Sequence, residues 1–120
     1  MNDRDSSIQT IRDTVLSFQN ARGWTGWQNA RNVAISICLE ASELLEIFQW
    51  CDNAEADRKA RETDREHFRE ELADVLIYCI SMANAYDVDI ATAIAEKLEK
   101  SAKKYPAKKE ASEPDIIGIQ

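Results

Sequence analysis

Four carboxylates stand out because they form two pairs, each with a three-residue spacing, inside otherwise apolar stretches. Glu40 and Glu43 lie in CLEASELLEIFQW, residues 38–50, and Glu71 and Asp74 lie in EELADVLIY, residues 70–78. Helical side chains three residues apart are neighbours on one face. Each pair can therefore present two oxygen donors together, and hard divalent cations prefer oxygen ligands.

Helical geometry places the first acid of the first pair inside the apolar stripe of its helix. A helix advances about 100° per residue, so Leu44 falls about 40° from Glu40 and Val33 about 20° from it. Glu43 lies at the edge of the stripe, about 60° away, and Glu46 lies about another 60° further round. Glu40 is therefore the acid that we expect to point inward.

The second pair repeats this placement. Val75 falls about 40° from Glu71, and Asp74 lies about 60° off on the side that Glu43 occupies in the first helix. Ionised carboxylates that converge in a core repel one another and are unfavourable by several kcal/mol, unless some protonate or a cation neutralises them. The pattern predicts an interhelical Mg²⁺ or Mn²⁺ site, although solvated helix faces remain an alternative, above all for Glu46 and Glu70.

The sequence lacks the residues that several other kinds of catalytic site require. A di-iron bundle needs Glu-x-x-His twice, whereas this chain has one histidine, His67, with Asp64 three residues before it. One histidine also cannot supply a Ser-His-Asp or Cys-His set, and no Gly-rich phosphate loop is present in the sequence. An enzyme built on this chain is expected to use a metal-activated water as its nucleophile.

Composition and charge exclude several classes of protein and of binding partner. The net charge of −7 argues against an exposed nucleic-acid or anionic-membrane surface, and we find no run of 18 uncharged residues and no signal-peptide pattern. The three cysteines, Cys38, Cys51 and Cys79, lack metal-binding spacings. We expect reduced thiols in a cytoplasmic protein, with Cys38 and Cys79 buried as small hydrophobes.

The length and composition of the sequence predict an all-α fold. A length of 120 residues with Gly 3 and Pro 2 favours one domain of long helices, a bundle of four to five, whose core is completed by oligomerisation. We place the domain at residues 1–106 and a flexible tail at 107–120. Four helices are predicted. The first starts near Ile8 and ends at Gly23, and the second runs from about Asn32 to Trp50. The third follows a charged connection and reaches about Tyr86, and the fourth runs from Ile90 to Lys103 with Asp89 as N-cap.

Several sequence blocks together resemble one enzyme family. They are GW at 23–24, RN at 31–32, ELLEIFQW at 43–50, EELADVLIY at 70–78, DVDI at 87–90 and KKYP at 103–106. Over roughly residues 8–106 the chain resembles the all-α nucleotide pyrophosphohydrolases of the MazG type, and within them the dCTP-pyrophosphatase branch.

The resemblance implies a homo-oligomer, a dimer or more often a tetramer, that hydrolyses nucleoside triphosphates to the monophosphate and pyrophosphate and so removes unwanted nucleotides. It implies Mg²⁺, for which Mn²⁺ can substitute. Glu40, Glu43, Glu71 and Asp74 match the family's metal-binding and catalytic acids. Lys97 matches a phosphate-binding lysine, with Lys104 and Tyr105 in the same role. Trp24, Trp50 and Tyr78 match base-pocket aromatics, and Trp27 stands where an aromatic is usual.

Two positions depart from the dCTP-selective pattern. Such relatives carry a histidine where this chain has Val15 and an asparagine where it has Ser101, a predicted base contact. Because buried hydrogen bonds provide most base discrimination, we expect a broader or shifted preference with dCTP among the substrates. Activity like that of a dUTPase or a phosphoribosyl-ATP pyrophosphatase, or a non-catalytic helical interaction module, remains an alternative.

Overall fold

The computed structural model describes residues 1–25 and 28–108, so Trp27 and the predicted tail beyond residue 108 lie outside the described residues. Within them, five α-helices and one π-helix form: α1 Ile8–Ala21, α2 Ala30–Glu46, α3 Asn53–Arg58, the π-helix Lys59–Thr63, α4 Arg65–Ala85 and α5 Ile90–Lys104. No strand occurs in these residues, which confirms the all-α prediction. The chain divides into two compact units, the first ending at Val88 and the second beginning at Asp89.

Four helices begin at a side chain that accepts a hydrogen bond from the backbone three residues ahead. The N-caps are Ser7 for α1, Asn29 for α2, Asp52 for α3 and Asp89 for α5, with donor–acceptor distances of 2.9–3.0 Å. Each bond satisfies one of the backbone N–H groups that a helix start leaves unpaired. The predicted cap at Asp89 is confirmed.

Different local features follow the last residues of α1 and α2. Gly23 has a φ of +67°, a left-handed conformation that favours glycine, and α1 stops at Ala21 just before it. The prediction that the second helix continues to Trp50 is wrong, because α2 ends at Glu46. The Lys59 ammonium, which follows α3, donates to the Ile47 carbonyl oxygen at 3.2 Å and so satisfies a carbonyl at this helix end.

The core of the first unit forms between α2 and α4, which pack antiparallel. At one end the rings of Phe48 and Phe68 meet edge to face with centroids 5.9 Å apart. At the other end the backbone N–H of Ala30 donates to the Tyr86 hydroxyl at 2.6 Å. Val33 is buried between these ends. The two helices are therefore fixed to each other at both ends.

Polar side chains attach α1 to the C-terminal end of α4. The Arg12 guanidinium donates to Asn84 Oδ1 at 2.9 Å, to the Ala83 carbonyl oxygen at 3.2 Å and to the Val88 carbonyl oxygen at 2.6 Å. The Asn84 amide in turn donates to the Arg12 carbonyl oxygen at 3.1 Å. A cation that donates to carbonyls near a helix C-terminus is favourable, because that end carries partial negative charge.

Parts of α2 and α4 are exposed among the described residues. Cys38 on α2 and Cys79 on α4 are exposed, so the expectation that both are buried is wrong, and Cys51 is half-buried. Helical periodicity identifies an apolar position but not what covers it. Within residues 1–25 and 28–108, no helix combines the length and apolarity that crossing a membrane requires.

The Arg12 contacts predict a test of stability. Arg12→Met keeps the aliphatic stem but removes three donors, so we expect the free energy of unfolding to fall by about 2–3 kcal/mol. Arg69→Met is the matched control, since Arg69 makes an exposed pair with Glu66 at 2.9 Å worth at most about 1 kcal/mol. Urea denaturation measures both, and equal losses in the two variants would contradict this role for Arg12.

Candidate metal centre

The packing of α2 against α4 brings the four predicted acids together. One carboxylate oxygen from each of Glu40, Glu43, Glu71 and Asp74 lies within 4.8 Å of the others. Two of these residues come from α2 and two from α4, so the cluster forms only when the two helices meet. Glu46 and Glu70, for which the sequence favoured solvated positions, are exposed and are not members of the cluster.

Two carboxylate oxygens in the cluster lack a hydrogen-bond partner. Glu40 and Glu71 are half-buried, and their Oε2 atoms are shielded from solvent without accepting a hydrogen bond from any described residue. Asp74 is also half-buried, whereas Glu43 is exposed at the rim. A buried polar atom without a partner is costly, so both oxygens are suited to an external ligand.

The electrostatics of the cluster favour protonation or cation binding. Burial raises the pKa of Glu40 above its ordinary value of 4.5, and the neighbouring Glu43, Asp74 and Glu71 raise it further. Burial likewise raises the pKa of Glu71, with Glu43 and Asp74 adding to the effect. The Glu43 carboxyl contributes by hydrogen bonding to the neutral form of each. Like-charge repulsion and desolvation therefore both act against the fully ionised cluster.

The donor set fits a small, hard cation. Octahedral Mg²⁺ binds oxygen at about 2.1 Å, which places opposite ligand atoms about 4.2 Å apart. The 4.8 Å that encloses the four oxygens is wider by about half an ångström, a change that side-chain rotation supplies. Carboxylates without nitrogen or sulfur ligands suit Mg²⁺ and Mn²⁺.

His67 lies beside the cluster. Its side chain is exposed, its Nε2 atom lies 3.4 Å from Glu71 Oε1, and this neighbour lowers the pKa of Glu71 against the other effects. The four-residue spacing of His67 and Glu71 on α4 was the signal available in the sequence.

The predicted base-pocket aromatics lie on different parts of the first unit. Trp24 follows α1 and packs its ring edge to face with Phe18, with centroids 5.7 Å apart. Tyr78 is half-buried on α4, four residues after Asp74 and therefore on the same face. Trp50 follows α2 and is 90% exposed, so no described side chain of this chain covers its ring.

The remaining predicted site residues belong to the second unit. Lys97 is exposed on α5, and the Lys104 ammonium lies 5.5 Å from the centre of the Tyr105 ring. Ser101 is half-buried, and its carbonyl oxygen accepts the Tyr105 backbone N–H at 2.8 Å. Within this unit, cationic side chains therefore gather in the last turns of α5.

A protein-family model and curated relatives match the chain. A MazG-like family model matches residues 35–115. dCTP pyrophosphatase 1 of Rattus norvegicus is 32% identical over 103 residues, which cover 85% of this chain and 61% of the relative. The Homo sapiens protein of the same name is 31% identical over 104 residues, covering 86% and 61%. The chain thus spans about three fifths of the length of these relatives.

The cluster geometry predicts how acid substitutions change stability without metal. Because the pKa of Glu40 is raised on folding, its contribution is most favourable below about pH 4.5 and is lost as pH rises through the raised pKa. Glu40→Gln removes this loss. We therefore expect the metal-free variant to melt a few degrees above the unsubstituted protein at neutral pH and level with it below pH 4.5.

Glu46→Gln is the control, since Glu46 is exposed on the same helix outside the cluster. Melting curves in a metal chelator across this pH range measure the effect. A Glu40→Gln protein that melts lower than the unsubstituted protein at neutral pH would instead indicate a structural ion pair at Glu40.

A pyrophosphatase from Archaeoglobus fulgidus has a similar solved structure. It superposes with a TM-score of 0.78 and 32% identity, over 89% of this chain and 99% of that one. The family model, the sequence relatives and this structure agree with the resemblance predicted from the sequence blocks, which is thereby confirmed. The chain belongs to the MazG-like family.

Proposed function

We propose that the chain is a divalent-metal-dependent pyrophosphohydrolase that converts deoxynucleoside triphosphates, dCTP among them, to the monophosphate and pyrophosphate. The observation that carries the proposal is the cluster of four carboxylates within 4.8 Å, with two buried oxygens that accept no hydrogen bond from a described residue. The names of the relatives, dCTP pyrophosphatase 1 and pyrophosphatase, support the same reaction class. The proposed role is removal of unwanted nucleotides in the cytoplasm.

The residues of the cluster have distinct proposed tasks. Glu40, Glu43, Glu71 and Asp74 bind Mg²⁺, or Mn²⁺ in its place. A bound ion would neutralise phosphate charge and ease the deprotonation of water. The acids would orient a water toward the α-phosphorus. The oxygen of this water would form a bond to that phosphorus as the bond to the bridging oxygen breaks, and pyrophosphate would leave with the electron pair.

The released proton needs an acceptor inside the cluster. Glu40 Oε2 and Glu71 Oε2 are buried oxygens with no hydrogen bond from a described residue, so each can accept one. A carboxylate within hydrogen-bond reach of the attacking water can act as its general base. We propose that one of these two oxygens takes the proton.

The substrate contacts outside the cluster are also part of the proposal. Lys97 binds phosphate as a charge partner, with Lys104 and Tyr105 in the same role. Trp24, Trp50 and Tyr78 provide flat rings for the nucleobase, and Ser101 completes the base contacts. Val15 and Ser101 stand where dCTP-selective relatives have larger polar side chains, so the proposed base preference is broader or shifted, with dCTP among the substrates.

A substrate panel tests the proposed reaction. Purified protein with Mg²⁺ is expected to release pyrophosphate from dCTP and other deoxynucleoside triphosphates, with kcat/KM values that differ by less than about a hundredfold. The panel includes dUTP and phosphoribosyl-ATP. Strong selectivity for either one would assign the site to that narrower activity, and no pyrophosphate from any member would contradict the proposal.

A pair of neighbouring substitutions tests the site itself. Glu71→Gln is expected to lower kcat on the order of a hundredfold to ten-thousandfold, because it removes a metal ligand and a candidate proton acceptor. Glu70→Gln is the matched control, since Glu70 is adjacent but exposed and outside the cluster. Equal activity of the two variants would place the chemistry elsewhere.

We further propose that the chain forms a homo-oligomer, with a tetramer as the expected state. Large apolar side chains on and beside α2 and α4 remain exposed: Leu39, Leu45, Trp50, Leu76 and Ile77. Apolar surface of this extent on a small chain favours burial against a partner, and a second copy provides a self-complementary one.

Light scattering after size exclusion tests the oligomer. We expect a mass four times the 13.6 kDa of the chain, and a lower mass for Leu39→Glu, which puts a charge on an exposed apolar position of α2. Arg61→Glu, on the charged π-helix, is expected to keep the oligomer intact. A 13.6 kDa species of the unsubstituted protein would contradict this proposal.

A further inference from the structure

A buried hydroxyl on α4 joins two glutamines from outside that helix. Ser81 is only 2% exposed, and its Oγ atom accepts a hydrogen bond from Gln19 Nε2 at 3.0 Å and donates one to Gln28 Oε1 at 2.9 Å. Gln19, on α1, is itself buried at 6% exposure, and Gln28 is half-buried just before α2. Every member of this chain of bonds is satisfied by another member, as buried polar groups require.

The same glutamine on α1 also fixes Trp24. The Gln19 carbonyl oxygen accepts the Trp24 backbone N–H at 3.0 Å, while the Trp24 ring packs on Phe18. Trp24 is thus bonded to the backbone of Gln19, whose side chain bonds Ser81, while Gln28 bonds Ser81 directly. Both ends of the connection between α1 and α2 are therefore linked to the Ser81 hydroxyl, one of them through Gln19.

Ser81 lies on the face of α4 that carries the acids and the proposed base contact. Asp74, Tyr78 and Ser81 follow one another at four- and three-residue spacings, which keep side chains on one helical face. The seven residues from Asp74 to Ser81 correspond to about 10 Å along the helix. That span is the scale of a nucleoside, so a triphosphate bound at the acids and extending along this face toward Ser81 would bring its base to the Ser81 network.

We propose that Ser81 is a positioning residue for nucleobase binding: through Gln19 and Gln28 it sets the place of Trp24 relative to Tyr78 and the acids. This inference rests on the proposed function, in which those two rings contact the base. Removing the hydroxyl leaves Gln19 Nε2 and Gln28 Oε1 without a partner, and side chains and backbone shift to regain one. The shift reaches Trp24 and weakens base binding.

The structure contains a matched link that serves as a control. Arg12 and Asn84 also join α1 to α4 through hydrogen bonds, and Asn84 follows Ser81 by three residues. None of the hydrogen bonds of that pair involves Trp24 or Gln28. Loss of the Asn84 link therefore destabilises the same helix pair without moving the proposed base contacts.

Steady-state kinetics separate positioning from simple stabilisation. Ser81→Ala is expected to raise KM for deoxynucleoside triphosphates about five- to thirtyfold, with kcat within about threefold of the unsubstituted enzyme. KM for a deoxyribose triphosphate without a base should not change, because that substrate makes no base contact. Asn84→Ala should lower the melting temperature and leave both KM values unchanged.

Two outcomes would overturn the inference. One is an unchanged KM for deoxynucleoside triphosphates in Ser81→Ala, and the other is an equal rise in KM with and without the base. Gln28→Met breaks the same bond from the other side and should reproduce the Ser81→Ala effect. Gln28→Glu keeps an acceptor for the Ser81 hydroxyl, so its KM should stay near that of the unsubstituted enzyme. A low KM in Gln28→Met, or a raised KM in Gln28→Glu, would count against the network.

A measurement without turnover keeps this inference separate from the proposed function. In a Trp27→Phe, Trp50→Phe background, acrylamide quenching reports on Trp24 alone. We expect Ser81→Ala to increase the quenching constant about twofold and Asn84→Ala to leave it unchanged, since only the first moves Trp24. Equal quenching in both would refute positioning by Ser81, whereas absence of hydrolysis by the unsubstituted protein would refute the proposed function.

Discussion

Repulsion among four carboxylates at the junction of α2 and α4 is the constraint on which the site depends. The acids are enclosed within 4.8 Å, and the two helices are tied at one end by Phe48 and Phe68 and at the other by Ala30 and Tyr86. Because both ends are fixed, the helices cannot relieve the repulsion by separating. The cluster keeps an unfavourable interaction in the folded chain, and protonation or a bound cation relieves it.

Polar groups elsewhere in the first unit differ from the acids in being satisfied. Arg12 finds acceptors at Asn84 and at backbone carbonyls, and Ser81 both accepts and donates in a buried position. The buried oxygens of Glu40 and Glu71 have no such partner among the described residues. This contrast supports the proposed cation site, since the two oxygens remain available to a ligand while other buried polar groups are satisfied.

The sequence predicted those features that follow from helical periodicity alone. The angles that placed Glu40 inside the apolar stripe and Glu43 at its edge agree with a half-buried Glu40 and an exposed Glu43. The end of α2 at Glu46 was not predicted, because no glycine or proline follows it closely in the sequence, and the Lys59 contact with the Ile47 carbonyl forms only after the chain has folded back. The exposure of Cys38 also escaped prediction, because periodicity does not tell what covers a face.

Cation binding by the carboxylate cluster can be measured through the protons that it displaces. If the acids of raised pKa bind a cation, binding must displace protons from Glu40 and Glu71 at mildly acidic pH. Calorimetric titration of the metal-free protein with Mn²⁺, in two buffers of different ionisation enthalpy, counts those protons. We expect saturable binding with proton release that disappears as pH rises. Absence of binding, or binding without proton release, would contradict cation binding by the four carboxylates.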